Sequence, residues 1–197
     1  MKIYILRHED RNMDATFFSP LTEKGLTRSQ NLINDLNKLN ITKIYCSPYI
    51  RTMQTILPYS KASNNKLNLD YSLVEIQHPG IIPPYSVNLE LPQYIANKFN
   101  YNPDYNSLIK PTDIIYPENE CYLEIRTKKF IKNIILKYHK TDNNILIVTH
   151  QGLCKIMLKI INKYGNIKPC NELIKEYPTG IISLIFENNY WIYKKIN

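Results

Sequence analysis

The chain has 197 residues, 44% hydrophobic and 21% charged, a balance that suits one domain with a sizeable core and excludes wholesale disorder. Its formal net charge of +8 comes from 25 lysines and arginines against 17 acids. That surface attracts anions in general, but the basic residues are dispersed and no zinc-finger or RNA-recognition signature appears, so no specific nucleic-acid partner is expected.

No apolar run reaches membrane-spanning length, and the N-terminus lacks the basic-then-apolar order of a signal peptide. A cytoplasmic protein without a membrane partner is expected. The four cysteines, Cys46, Cys121, Cys154 and Cys170, form no Cys-x-x-Cys pair and have no histidine at zinc spacing. Reduced, mostly buried thiols and no metal site are the expectation.

In chain order, Lys2-Ile3-Tyr4-Ile5-Leu6 is a short apolar run that polar residues follow at once, which predicts a buried strand. A loop spans 9–20. Thr22 as N-cap and Glu23 in the first turn then predict a helix, with Leu26, Ile33, Leu36 and Leu39 on its buried face. Lys43 to Cys46 is a second strand. Ser47-Pro48 reads as a cap followed by a first-turn proline, opening a helix that ends near Leu57, before Pro58. Asn68 to Ile76 reads as a third strand ending near Glu75.

Residues 77–117 differ in character. They hold seven prolines and at most one short helix, around Leu91 to Phe99. Loops of that length serve as lids or binding loops, so this stretch is expected to be a lid insertion over the rim that shapes substrate choice. A helix over Glu118–His139 follows, with Tyr122, Ile125, Phe130, Ile134 and Ile135 inward. Asp142-Asn143-Asn144 is a turn. Ile145 to Thr149 is a further strand, and a helix runs from Gly152 to Tyr164, ended by Gly165 as C′ glycine. Ile181–Phe186 and Tyr190–Ile196 read as a closing hairpin around Asn188-Asn189. Strands and helices alternate, so the expectation is a single α/β domain over 1–197: a three-layer sandwich with a mainly parallel sheet flanked by helices.

Two strands end in histidines, His8 after Lys2–Leu6 and His150 after Ile145–Thr149, where open α/β sheets place ligands. Arg7, Arg51 and Glu75 fall near the same predicted rim. The guanidinium of Arg51, one turn into its helix, can fold back toward an N-terminus that already favours phosphate. A nucleophile, cations for phosphoryl oxygens and an acid for a leaving group are what phosphoryl transfer requires.

These residues fall in motifs that resemble those of the histidine phosphatase superfamily, which includes cofactor-dependent phosphoglycerate mutase. Arg7-His8 resembles its Arg-His-Gly signature, and Pro20-Leu21-Thr22-Glu23-Lys24-Gly25 its Pro-Leu-Thr-x-x-Gly helix start. Ser47-Pro48-Tyr49-Ile50-Arg51-Thr52-Met53-Gln54-Thr55 resembles its Ser-Pro-x-x-Arg-x-x-Gln-Thr element. Leu73-Val74-Glu75 resembles its Leu-x-Glu, and Val148-Thr149-His150-Gln151-Gly152 its second histidine motif. The resemblance implies that His8 is the nucleophile and becomes a phosphohistidine. It implies that Arg7, Arg51 and His150 bind the phosphoryl group and that Glu75 protonates the leaving oxygen. It also implies Arg11 as a further phosphate binder, since Asp10-Arg11 resembles the Glu-Arg of one phosphatase branch.

The implied activity is metal-independent hydrolysis of a small-molecule phosphomonoester or a phosphorylated protein, with no cofactor. Two alternatives stand beside it. One is a mutase, against which Asp14 and the lid length argue. The other is a catalytically silent phospho-ligand or protein-binding module, motivated by Glu9 where the family has glycine. A carboxylate there would repel phosphate if it faced the pocket. His78 and His139 match no motif.

Overall fold

A computed structural model of the chain describes residues 1–86, 88–164, 181–187 and 190–195. The strands are β1 (Lys2–Arg7), β2 (Lys43–Cys46), β3 (Leu67–Leu69), β4 (Asn144–Thr149), β5 (Ile181–Glu187) and β6 (Tyr190–Lys195). The helices are α1 (Glu23–Asn37), α2 (Ile50–Ser63), α3 (Gln93–Ala96), α4 (Glu120–Tyr138) and α5 (Gln151–Tyr164). One sheet holds the strands in the order β3-β2-β4-β1-β5-β6. β3, β2, β4 and β1 run parallel, and β5 and β6 add an antiparallel edge.

Alternation along β1 assigns its side chains to two faces. Ile3 and Ile5 join Tyr45, Ile145 and Ile147 beneath Leu123, Phe130 and Ile134 of α4 and Leu153 and Met157 of α5. Tyr4 and Leu6 join Ile44, Leu146 and Val148 beneath Leu36 of α1 and Met53 and Ile56 of α2. Both faces of the parallel strands are therefore covered, which is why these strands are continuous apolar runs. The expected α/β layering is present, and the predicted hairpin is the β5–β6 pair. Its turn, Gly165 and Cys170 lie outside the described residues. Cys46 and Cys154 are buried free thiols, and Cys121 is exposed.

Several local expectations are corrected. α2 starts at Ile50 with Tyr49 as N-cap, so Ser47 is no helix cap, and the helix runs through Pro58 to Ser63. The local proline penalty is outweighed by the burial of the next two residues, Tyr59 and Ser60. Asn100 also donates to both the Ser60 carbonyl and its hydroxyl, at 3.2 and 3.0 Å. β3 stops at Leu69, because Asp70 accepts from Ser72 N at 2.8 Å and caps a 3-10 turn over Tyr71–Leu73. Glu75 thus stands on a loop. Leu26, Tyr122 and Ile125 are exposed, while Arg126 and Thr127 take inward positions on α4.

The stretch 77–117 divides in two. Ile82 and Leu89 pack with Phe17, Tyr49 and Val74 behind the rim. The part after α3 runs along β3: Leu67 N donates to Asn100 O and Asn102 N to Leu67 O, both at 2.8 Å. Asp70 ties this part down through Leu108 N at 3.2 Å and the Tyr105 hydroxyl. Tyr85 and Tyr94 are exposed, so of the insertion's tyrosines these two do not pack it.

α1 docks on the loop that leaves β1. Thr22 N donates to Asp10 O at 3.0 Å and the Thr22 hydroxyl to the Asp10 carboxylate at 2.8 Å. Gly25 sits against that carbonyl so closely that a Cβ would overlap the Asp10 oxygen. Backbone cannot swing aside as a flexible side chain can. Gly25→Ala is expected to cost about 1–3 kcal/mol of stability, read as a lowered midpoint in urea unfolding with an unchanged slope.

Candidate active site

The parallel register places the site. Arg7 pairs with Thr149 and Cys46 with Val148, so the next residues of β1, β4 and β2 are His8, His150 and, one step back, Ser47. The ladder continues past the strands, with His8 N donating to Thr149 O at 2.9 Å and Ser47 N to Val148 O at 3.0 Å. The two imidazoles, far apart in sequence, stand with ring centroids 5.2 Å apart, edge to face.

His8 Nδ1 lies 2.7 Å from the Glu9 carbonyl oxygen. A carbonyl only accepts, so Nδ1 carries the proton and Nε2 keeps its lone pair. Burial, followed by the nearby Arg51 guanidinium, lowers the His8 pKa from 6.5 to about 3, against the opposing pull of the Glu9 hydrogen bond. His150 is fully buried, and burial, then Arg51 and His8, hold its pKa well below the ordinary value. Both rings are therefore neutral at physiological pH. His150 Nε2 contacts the Ser47 hydroxyl at 2.9 Å.

Arg51 is 1% exposed. It donates to Thr16 O at 2.8 Å, and its guanidinium carbon lies 4.3 Å from the centroid of the Tyr49 ring, while Nε has no hydrogen-bond partner. Burial pushes its pKa down to about 10, which leaves it a cation. Tyr49 also meets the His150 ring at 4.7 Å and accepts from Gln77 Nε2 at 2.9 Å. Glu75 accepts from Ile76 N at 3.0 Å and from Gly152 N, at the start of α5, at 3.3 Å. A Cβ at Gly152 would collide with that carboxylate, so the glycine is needed for this approach.

A cleft of about 310 Å³ is lined by Arg7, His8, Glu9, Asp10, Arg11, Met13 and Arg28, while Arg51, Glu75 and His150 are not among its lining residues. Arg11 is on the cleft wall and donates to Asn12 O at 2.6 Å. Glu9 is one of the residues lining the cleft. Its carboxylate is 3.9 Å from Arg28, with a pKa raised by burial and opposed by Arg28 and Arg7. Among the described non-glycine residues positive φ occurs only at Ala15, Asn40 and Asn64, so position 9 does not need glycine for its backbone. His78 and His139 are exposed and stand apart from this constellation.

Sequence reasoning missed the support around Glu75. Arg126 binds Glu118 through two contacts, Nε to Oε1 at 2.7 Å and Nη2 to Oε2 at 2.9 Å. It also donates to Ser72 O at 2.8 Å and Glu75 O at 3.2 Å. Glu118 Oε2 accepts from Gln77 N at 3.1 Å, and Gln77 Nε2 donates to Glu75 O at 2.7 Å. The readable signal was an arginine at the apolar spacing of α4, between Leu123 and Phe130. A cation on a buried face requires a carboxylate.

The family model for the histidine phosphatase superfamily (branch 1) matches residues 3–197. The chain belongs to that superfamily. No curated protein matches it. Among solved structures, ecdysone phosphate phosphatase from Bombix mori, in complex with tungstate, superposes with a TM-score of 0.72 at 12% identity, over 99% of this chain and 92% of that one. A putative alpha-ribazole-5'-P phosphatase from Escherichia coli gives 0.68 at 18%, over 100% and 96%. Phosphoglycerate mutase from Bacillus anthracis gives 0.67 at 17%, over 100% and 92%. At these identities the likeness is one of fold. The histidine phosphatase superfamily thus accounts for the architecture, and phosphatases and a mutase stand among its similar structures.

The buried histidines make stability pH-dependent. Between pH 6.5 and about 3, His8 stays neutral in the folded chain but is protonated in the unfolded one. The unfolded state binds more protons in that window, so stability falls as pH is lowered through it. Denaturant unfolding across the window is expected to show this loss, with a shallower slope in His8→Gln. An equal slope in the variant would contradict the assignment.

Proposed function

We propose that this histidine phosphatase superfamily member hydrolyses phosphomonoesters through a phosphohistidine on His8, with no metal taking part. The observation that carries the reading is the fixed tautomer of His8: its proton is held at Nδ1 by the Glu9 carbonyl, which leaves Nε2 unprotonated beside His150 in an arginine-lined cleft. The Nε2 lone pair attacks phosphorus, the P–O ester bond breaks, and Glu75 gives a proton to the departing oxygen. Water then attacks the phosphorus of the N–P adduct, Glu75 takes its proton, the N–P bond breaks with its electron pair returning to Nε2, and inorganic phosphate leaves. Arg7, Arg11, Arg51 and His150 bind the phosphoryl oxygens. A cation about 4 Å from a phosphate charge contributes roughly 4 kcal/mol at an effective dielectric near 20, so guanidinium groups are strong enough for this task.

Hydrolysis is favoured over a mutase reaction because the cleft wall includes Met13, which is 93% exposed. A mutase must keep water from its phosphoenzyme. Small phosphorylated molecules are the substrate class this reading takes.

His8→Ala is expected to reduce nitrophenyl phosphate turnover to background while the fold, by circular dichroism, is kept. Acid quenching of the wild type during turnover, followed by alkaline phosphorus NMR, should reveal a phosphohistidine that the variant lacks. Full activity in His8→Ala would end the reading.

Glu75→Gln is expected to slow alkyl phosphates by about a hundredfold or more and nitrophenyl phosphate far less, since a good leaving group needs little protonation. Equal losses on both substrates would remove the acid role.

A further inference from the structure

Ser47 was expected to cap a helix. Its hydroxyl instead meets His150 Nε2 at 2.9 Å, and both residues are 0% exposed. A neutral imidazole has one N–H and one lone pair, so this contact admits two proton arrangements. In the first, Nε2–H donates to Ser47 Oγ. The hydroxyl hydrogen then has no acceptor, because among the described residues Ser47 Oγ contacts His150 alone, and the Nδ1 lone pair has no donor either. Two buried polar functions are left unsatisfied.

In the second arrangement the Ser47 hydroxyl donates to Nε2, Nδ1 carries the proton, and that single N–H is left over. Unsatisfied buried groups are costly, so the arrangement with one orphan prevails over that with two. The orphan is moreover a donor, on a ring whose centroid lies 5.2 Å from that of His8. What such a donor lacks is an acceptor, and an anionic oxygen is the kind that guanidinium groups would draw there.

Resting on the phosphatase reading, we propose that Ser47 is a positioning residue: it holds His150 as the Nδ1–H tautomer, and that N–H donates to an oxygen of the bound phosphoryl group. His8 and His150 then share one tautomer and perform opposite tasks. His8 has its Nδ1–H occupied by a carbonyl and presents a lone pair. His150 has its lone pair occupied by a hydroxyl and presents a proton.

Long-range proton–nitrogen correlation NMR on the full chain reads the tautomer of each histidine directly, with His150→Gln used to identify the His150 signals. The wild type should show His150 protonated at Nδ1 and not at Nε2. Ser47→Ala should lose that single pattern and bind inorganic phosphate about tenfold more weakly, one hydrogen bond to an anion being lost, while Ser47→Thr keeps both properties. A wild-type His150 protonated at Nε2 would overturn the proposal without recourse to any variant. Unchanged phosphate affinity in a folded Ser47→Ala would overturn it too. Neither readout depends on turnover. Failure of the phosphatase reading shows separately, as a wild type that releases no phosphate from any ester while its spectra keep the Nδ1–H pattern.

Discussion

The site depends on the parallel pairing of β1 with β4 and of β4 with β2. In a parallel sheet the strands end together on one side, and the residues just beyond each strand are delivered to one line. Because Arg7 lies opposite Thr149 and Cys46 opposite Val148, the chain needs no further device to assemble His8, His150 and Ser47. A slip of one residue in either pairing would also exchange the two faces of a strand, sending Tyr4 and Leu6 where Ile3 and Ile5 belong. The core packing and the geometry of the candidate site are thus specified by the same register.

Around that line the chemistry is shaped chiefly by exclusion of water. Burial is the first cause of the lowered basicity of both His8 and His150, and of the weakened hold of Arg51 on its proton. The carboxylate that completes the set is not on a strand at all. Its loop is pinned by the buried Arg126–Glu118 pair, whose remaining donors and acceptors go to Ser72, Glu75 and Gln77. A buried ion pair of this kind adds little net stability when set against an apolar pair of similar size. What it contributes here is the path of residues 72–77, and through them the place of Glu75.

The layers, the parallel sheet and both strand-end histidines were legible because each depends on local signals: apolar runs of strand length, caps, and polar residues immediately beyond. The motifs extended that legibility to Arg51 and Glu75. Failures occurred where tertiary contacts outweighed local preference. Ser47 looked like a cap because serine before proline usually is one, but a buried imidazole claimed its hydroxyl. Pro58 looked like a helix end, but the burial of Tyr59 and Ser60 carried α2 past it. Tyr122 and Ile125 looked inward because apolarity was read without phase, whereas Leu123, Arg126 and Phe130 set the true face of α4. The support from Arg126, Glu118 and Gln77 was invisible for another reason: it joins residues of the loop after β3 to a helix some fifty positions away.

Glu9 divides its duties between main chain and side chain. Its amide donates to the Thr55 hydroxyl at 2.9 Å and its carbonyl orients His8, while its carboxylate stands 3.9 Å from Arg28. Main-chain bonds are indifferent to which side chain the residue carries. The ninth codon can therefore be rewritten through evolution, altering what the entrance tolerates, while the imidazole next to it keeps its orientation.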